Sequence, residues 1–245
     1  MTSLELYQTL PARLDAAKAA KAEVERAWPA WMPVEGPRRW LNVTVALAAI
    51  VLTLPLMVLI GVLIKLTSPG PILYRQPRVG RDRRCRGERD GNHRRSIDCG
   101  GKPFTIYKFR TMRVSGGNPN REVWASPDDP RVTRIGRILR QYRLDELPQL
   151  FNVLKGDMNI VGPRPEQPGI FHRLMSEIPG YRHRQLVRPG ITGWAQVNHH
   201  YDASIEDVKR KVGYDLEYVT RQSVLQDLKI MLMTAPTVVF KRGAW

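Results

Sequence analysis

The sequence predicts an α/β protein, mostly helical with few short strands, in which a re-entrant membrane helix–break–helix is joined to a cytosolic-face domain with interfacial amphipathic helices. Three observations carry that class. Residues 41–64 contain no charged side chain, yet Pro55 stands near their middle. Helix signals recur in four later stretches, at 132–144, 145–156, 204–218 and 224–235. One segment, Phe104 to Met112, alternates apolar and polar residues like a half-buried strand. The 245 residues suffice for one sizeable core with an appendage. Lys and Arg number 39 against 23 Asp and Glu, a formal charge of +16, so the surface is suited to anions: nucleic acid, anionic lipid headgroups or phosphate-bearing substrates. Cys85 and Cys99 flank His93 without an evident fourth zinc ligand, and read as two thiols in a reducing compartment.

Residues 1–37 form an accessory arm. Leu14 to Trp28 favours helix, and Pro29, Pro33 and Pro37 break it. Its acidic residues and lack of an early apolar core do not match a signal peptide. Trp28, Trp31 and Trp40 suggest an anchor at headgroup level. Residues 38–66 are the membrane element: from Leu41 to Ile64 a straight helix covers about 36 Å, enough for a bilayer core. Pro55 cannot donate the helical hydrogen bond, and both flanks are basic, with Arg38 and Arg39 before and Lys65, Arg75, Arg78 and Arg81 after. Both features favour a segment that enters one leaflet and returns, with Pro55 at the turn; a spanning helix kinked at proline is the other reading.

Residues 67–245 form the main domain. Ser68 to Gly80 is rich in turn residues and ends in a short apolar run. Arg81 to Arg95 is an arginine-heavy loop suited to anionic lipid. Within the predicted strand Lys108 and Arg110 share a face and offer two cations to one anion. After a loop from Gly116 to Pro130, Val132 to Leu144 resumes helical spacing and leads to Asp145 and Glu146. Asp145 has the chemistry of an N-cap, Pro148 fits the first turn, and Gly156 supplies a stop, with Leu147, Leu150, Phe151 and Leu154 forming an apolar face between. The helix N-terminus and the cations of Arg140 and Arg143 favour an ionised carboxylate, usable as a nucleophile or metal ligand. The plainer reading makes Asp145 a cap and Glu146 a partner of the helix dipole. Arg164 lies between prolines in a stiff loop suited to bidentate phosphate binding, and Arg188 begins a second such loop that includes Trp194. For each, the competing reading is a tight turn with a surface arginine. Ser204 to Asp207 resembles a capping box ahead of Tyr214 and Tyr218. The apolar breadth of Val224 to Ala235 suits the membrane interface. His199 and His200 have no partner at metal-ligand spacing and read as structural.

Five strings together resemble the bacterial sugar transferases, the monotopic phosphoglycosyl transferases. They are Tyr-Lys-Phe-Arg-Thr-Met at 107–112, Leu-Asp-Glu-Leu-Pro-Gln-Leu-Phe-Asn-Val-Leu-Lys-Gly-Asp-Met at 144–158, Val-Gly-Pro-Arg-Pro at 161–165, Val-Arg-Pro-Gly-Ile-Thr-Gly-Trp-Ala-Gln-Val-Asn at 187–198 and Asp-Leu-Lys-Ile-Met at 227–231. The resemblance runs from about residue 40 to the end. It implies a re-entrant membrane helix and a catalytic domain that moves a phosphosugar from a UDP-sugar to polyprenol (undecaprenyl) phosphate, with Mg²⁺, on the cytoplasmic face of the bacterial inner membrane, releasing UMP and initiating glycoconjugate synthesis. By resemblance Asp145 is the nucleophile, with Glu146 beside it as the second catalytic carboxylate. Glu146 is also a metal ligand together with Asp227, and Lys108, Arg110, Arg140, Arg164 and Arg188 bind the phosphates. Anionic lipids are a further expected partner, with a second copy of the chain or downstream glycosyltransferases as alternatives beside them, and nucleic acid is not among the partners. The family's usual Ser-Pro at the helix break is Leu54-Pro55 here, with Thr53 as the nearest hydroxyl. A reading from another class is a membrane-tethered nucleic-acid-binding or scaffold protein. It accounts for the charge but not for two rigid arginine loops around a carboxylate pair.

Overall fold

The computed structural model describes residues 35–82, 100–113, 129–198 and 205–239. Several expectations fall outside them: the arm with Trp28 and Trp31, the cysteines with His93, almost all of the arginine-heavy loop and most of the 116–130 loop, the His199–His200 pair, and the Ser204 cap.

Helix α1, Glu35–Thr67, is one helix of 33 residues with Pro55 inside it. The expected helix–break–helix is therefore not two helices joined by a turn. Proline removes one N–H from the ladder, and the apolar helix formers on either side carry it through. The Thr53 hydroxyl is spent within the helix, donating to the Ala49 carbonyl at 2.7 Å. By length and composition, residues 36–67 are able to cross a membrane. Leu52, Pro55 and Leu66 are exposed, whereas Ala46, Met57, Ile60 and Ile64 are buried. Ala46 packs with Ile106, Leu150, Val153 and Met158, and Met57, Ile60 and Ile64 pack with Phe109 and Leu139. Leu147 touches both groups. Each fully buried aliphatic chain contributes about 1.5–3 kcal/mol, so both halves of α1 are held to one body.

Strand β1 (Leu73–Val79) pairs antiparallel with β2 (Pro103–Phe109), Leu73 opposite Phe109 and Val79 opposite Pro103. The predicted strand is thus shorter at its end, where Met112 instead bridges Val132. β1 was hidden behind its turn residues. Its Pro77 is tolerated because a strand of a two-stranded sheet has one side that needs no ladder donor. Helix α2 (Arg134–Gln141) is capped by Thr133, whose side chain accepts from the Gly136 N–H at 2.9 Å. A Cβ at Gly136 would lie 2.0 Å from the Thr111 carbonyl oxygen, so only glycine lets α2 approach the chain beyond β2 so closely.

A 3₁₀ turn, Leu144–Glu146, precedes α3 (Gln149–Lys155), with Pro148 at its N-cap and Gly156 closing it at φ 83°. Leu150 and Val153 of α3 are buried, but Phe151 is turned outward. β3 (Asn159–Val161) runs parallel to β4 (Gly190–Thr192), so part of the predicted second loop is strand. α4 (Pro168–Glu177) and a 3₁₀ segment, Tyr181–Leu186, were not anticipated. They pack Phe171, Leu174 and Tyr181 against Val208 and Val212 of α6 (Ile205–Arg221). The short α5 (Trp194–Asn198) and α7 (Val224–Val239) complete the chain. α7 buries Asp227 and Ile230 and exposes Leu225 and Leu232.

Candidate active site

The two carboxylates are set by a strained turn. Arg143, at φ 54° and ψ 20°, is the one non-glycine residue with positive φ among the described residues. That conformation costs about 1–2 kcal/mol for a residue with a Cβ. It swings the chain out of α2 so that Asp145 and Glu146 fall in the 3₁₀ turn ahead of α3. They therefore do not cap the α-helix as the sequence suggested. Asp145 is 8% exposed and Glu146 is 6% exposed.

Cations meet this pair from two elements. Lys108, near the end of β2, places Nζ 2.8 Å from Glu146 Oε1 and 3.9 Å from Asp145 Oδ2. Arg164 donates Nη2 to the same Glu146 oxygen at 2.8 Å. Asn152 fixes β2 against α3: its side-chain oxygen accepts from the Tyr107 N–H at 3.1 Å, and its amide donates to the Thr105 carbonyl at 2.7 Å. Lys108 is thereby held in register with the carboxylates. The Arg164 loop is held through four successive carbonyls. Pro163 O accepts from Gly190 N–H at 3.0 Å, Arg164 O from Arg184 Nη2 at 3.1 Å, Pro165 O from Arg78 Nη1 at 3.1 Å, and Glu166 O from Val79 N–H at 2.9 Å.

The two carboxyls differ electrostatically. Burial raises Asp145 above the ordinary aspartate range, and Lys108 only partly offsets it. The expectation that local cations and a helix end would favour its ionised form is corrected here, because desolvation is the larger effect. Burial also opposes ionisation of Glu146, but Arg164, Lys108 and Arg143 outweigh it and hold this carboxyl well below the usual glutamate range. Glu146 thus absorbs the nearby positive charge. Asp145 stays beyond hydrogen-bonding distance of Lys108.

The other expected residues divide. Arg140 reaches Asp145 electrostatically while its Nε donates to Thr111 Oγ1 at 2.9 Å. Arg110 does not share an anion with Lys108. β2 ends at Phe109, and the Arg110 guanidinium donates to the carbonyls of Ser68 and Pro69 at 2.7 and 2.9 Å, just past the end of α1. Asp227 is engaged in a cluster of its own. It is wholly buried, accepting from Arg38 Nε at 3.0 Å and Tyr218 OH at 2.7 Å, and Arg38 also donates to Gln222. Those contacts tie α1 to α6 and α7, and a carboxylate so occupied is unsuited to a shared metal. Arg188 is half-buried within electrostatic range of Arg39, which caps the end of α3 through the Val153 and Leu154 carbonyls at 2.6 and 2.8 Å.

Among the described residues no three His, Cys, Asp or Glu side chains cluster to hold a metal. The remaining donors still fit Mg²⁺ of one kind. That ion takes one or two carboxylates and completes an octahedron with water and substrate phosphate oxygens, and the second oxygen of Glu146 is such a donor. No local sequence pattern marks the parts played by Arg78, Asn152 and Arg184, and from sequence Arg143 is only a neighbouring charge.

The sequence profile of the bacterial sugar transferases matches residues 35–241. A UDP-N-acetylgalactosamine-undecaprenyl-phosphate N-acetylgalactosaminephosphotransferase of Aeromonas hydrophila is 42% identical over 207 residues, 84% of this chain and 44% of that protein. A UDP-glucose:undecaprenyl-phosphate glucose-1-phosphate transferase of Escherichia coli is 38% identical, over 82% of this chain and 41% of its own. Another, of Caulobacter vibrioides, is 39% identical, over 85% and 72%. The chain thus spans less than half the length of the first two. With most of its length matched by one profile, this chain belongs to the bacterial sugar transferase family.

Proposed function

We propose that the protein transfers a phosphosugar from a UDP-sugar to undecaprenyl phosphate in two displacements, with Asp145 as the nucleophile. A carboxylate oxygen of Asp145 attacks the sugar-bearing phosphorus. The bond from that phosphorus to the bridging oxygen breaks, and UMP leaves with the oxygen. An oxygen of the polyprenol phosphate then attacks the same phosphorus, forming the diphosphate link and restoring the carboxylate. One observation carries this assignment: Glu146 takes both Lys108 and Arg164 at 2.8 Å, whereas Asp145 has Lys108 only at 3.9 Å. The neighbour that holds the cations is thus distinct from the carboxylate left to react.

Two anions repel, so Asp145 approaches a diphosphate only where Lys108, Arg140 and Arg164 offset the charge. Glu146 would hold Mg²⁺ there, and the ion would supply further charge neutralisation. Burial keeps water from the carboxylate and from the acyl phosphate. For the membrane, the reading is a re-entrant α1 entered from the cytoplasmic face of the inner membrane. Supporting it, Arg38 and Asn42 near one end, and Ser68 just past the other, all bond to the same body. The exposed Trp40, Leu225, Leu228 and Leu232 suit the interface beside it. A site at that surface serves a soluble donor and a lipid acceptor together.

The test is trapping. Wild type with UDP-sugar alone is expected to release UMP and to gain the mass of one phosphosugar, and Asp145→Asn to do neither. Product formed without any labelled polypeptide sinks the two-displacement reading.

A further inference from the structure

We propose that Arg184 is a positioning residue for Arg164, a role that rests on the reading of Arg164 and Glu146 as parts of the transfer site. Arg184 is 1% exposed, and its guanidinium is divided among three partners. Nε donates to Asp215 Oδ2 at 2.7 Å, Nη1 to the Tyr181 hydroxyl at 2.6 Å, and Nη2 to the Arg164 carbonyl at 3.1 Å. Its cation also lies 4.8 Å from the centre of the Tyr181 ring. A chain of direct contacts therefore runs from Asp215 on α6 through Arg184 to the main chain of Arg164, and from the Arg164 side chain to Glu146.

The neighbouring carbonyls of this loop accept from two backbone N–H groups and from Arg78. At Arg164 the donor is one half of a fully buried ion pair, Arg184 with Asp215, whose side chains are 1% and 3% exposed. Burying such a pair is costly, and well-packed apolar residues often serve stability equally well. What an apolar replacement lacks is the fork that holds Asp215, Tyr181 and the Arg164 carbonyl on one guanidinium. The consequence falls on the Arg164 guanidinium. Its lateral placement on Glu146 follows from where its own backbone is pinned, and a shift of about 1 Å in such a clamp costs roughly 100-fold in rate.

The test is a double-mutant cycle on UMP release by the full-length protein in detergent, using wild type, Arg164→Gln, Arg184→Lys and the double variant. Lysine keeps the charge opposite Asp215 but loses the fork. Arg184→Lys is expected to lower kcat/KM by about 10- to 100-fold and to cause little further loss once Arg164 is glutamine. Losses that multiply would overturn the proposal, because a residue acting only on general stability does not depend on Arg164. Hydrogen–deuterium exchange supplies a readout free of turnover: the amides of Gly162, Arg164 and Glu166 should exchange faster in Arg184→Lys while those of 149–155 do not. Unchanged exchange at these three amides overturns the proposal whatever the activity. Absence of UMP release by wild type refutes the transfer reading instead, and the exchange result then decides. Should Arg184→Lys fail to fold, Tyr181→Phe removes a single bond to Nη1 and takes its place in both measurements.

Discussion

Replacing Asp227 with alanine strands the Arg38 guanidinium in the protein interior. The two charges lie 2.9 Å apart, with side chains 10% and 0% exposed. At an effective dielectric constant of about 20 their attraction is about 6 kcal/mol before desolvation is subtracted. Removing one member of such a pair typically costs about 3–5 kcal/mol, since the remaining charge is left buried. For a domain of this size that corresponds to a fall in apparent Tm of roughly 6–20 °C. The loss should be largely recovered in Arg38→Met/Asp227→Leu, where no charge remains. The assay is thermal unfolding in detergent, run beside a Mg²⁺ titration of UMP release. If Asp227→Asn instead keeps its Tm but needs much more Mg²⁺ for half-maximal activity, Asp227 is a metal ligand and the reasoning that places it in a structural cluster fails.

Lys108→Met removes the nearest cation from Asp145, whose carboxyl burial already raises. A nucleophile with a raised pKa loses its charge at higher pH, so the acid limb of the kcat/KM profile should move further up in the variant; an unmoved limb argues against Asp145 as the titrating group. Arg110→Met leaves the Ser68 and Pro69 carbonyls without their donor and should cost about 1–3 kcal/mol in unfolding experiments, with KM for the donor unchanged; a raised KM would return Arg110 to the substrate. Gly136→Ala forces α2 away from Thr111 and should slow turnover through Arg140, whereas Gly213→Ala, where an added Cβ meets nothing within 4 Å, serves as the neutral control. Thr2→Cys and Asn120→Cys, each in a background with Cys85 and Cys99 replaced by serine, should label from the same side of sealed vesicles; labelling from opposite sides eliminates the re-entrant reading.

The stretch around the carboxylates was legible because its signals are local. Gly156 does end α3 in a left-handed conformation, and the helical spacing that begins at Val132 does contain α2. Arg164 was recognised as a constrained cation because prolines on either side can be read directly. Distinctions that depend on distant partners were not legible. Lys108 and Arg110 are two apart in sequence, but one turns to Glu146 and the other to the end of α1, a choice fixed by where β2 stops. Arg184 looks like any surface arginine until Asp215, 31 residues later, is found beside it. Asp227 lies in a family string, and only folding brings Arg38, 189 residues earlier, onto its carboxylate. Burial, which raises Asp145 and is outweighed at Glu146, belongs to the folded surroundings and leaves no mark on two adjacent acids.

Leu147 follows the carboxylate turn directly and packs against two clusters to which α1 contributes, one with Ala46 and one with Met57, Ile60 and Ile64. The membrane segment is therefore also the floor under the reactive loop. A shortened version that starts after residue 67, made for ease of handling in water, would lose the packing beneath Leu147 as well as its anchor. Detergents or nanodiscs chosen for this protein should be judged by whether they preserve that seating, since solubility alone says nothing about whether the acid pair is still correctly held.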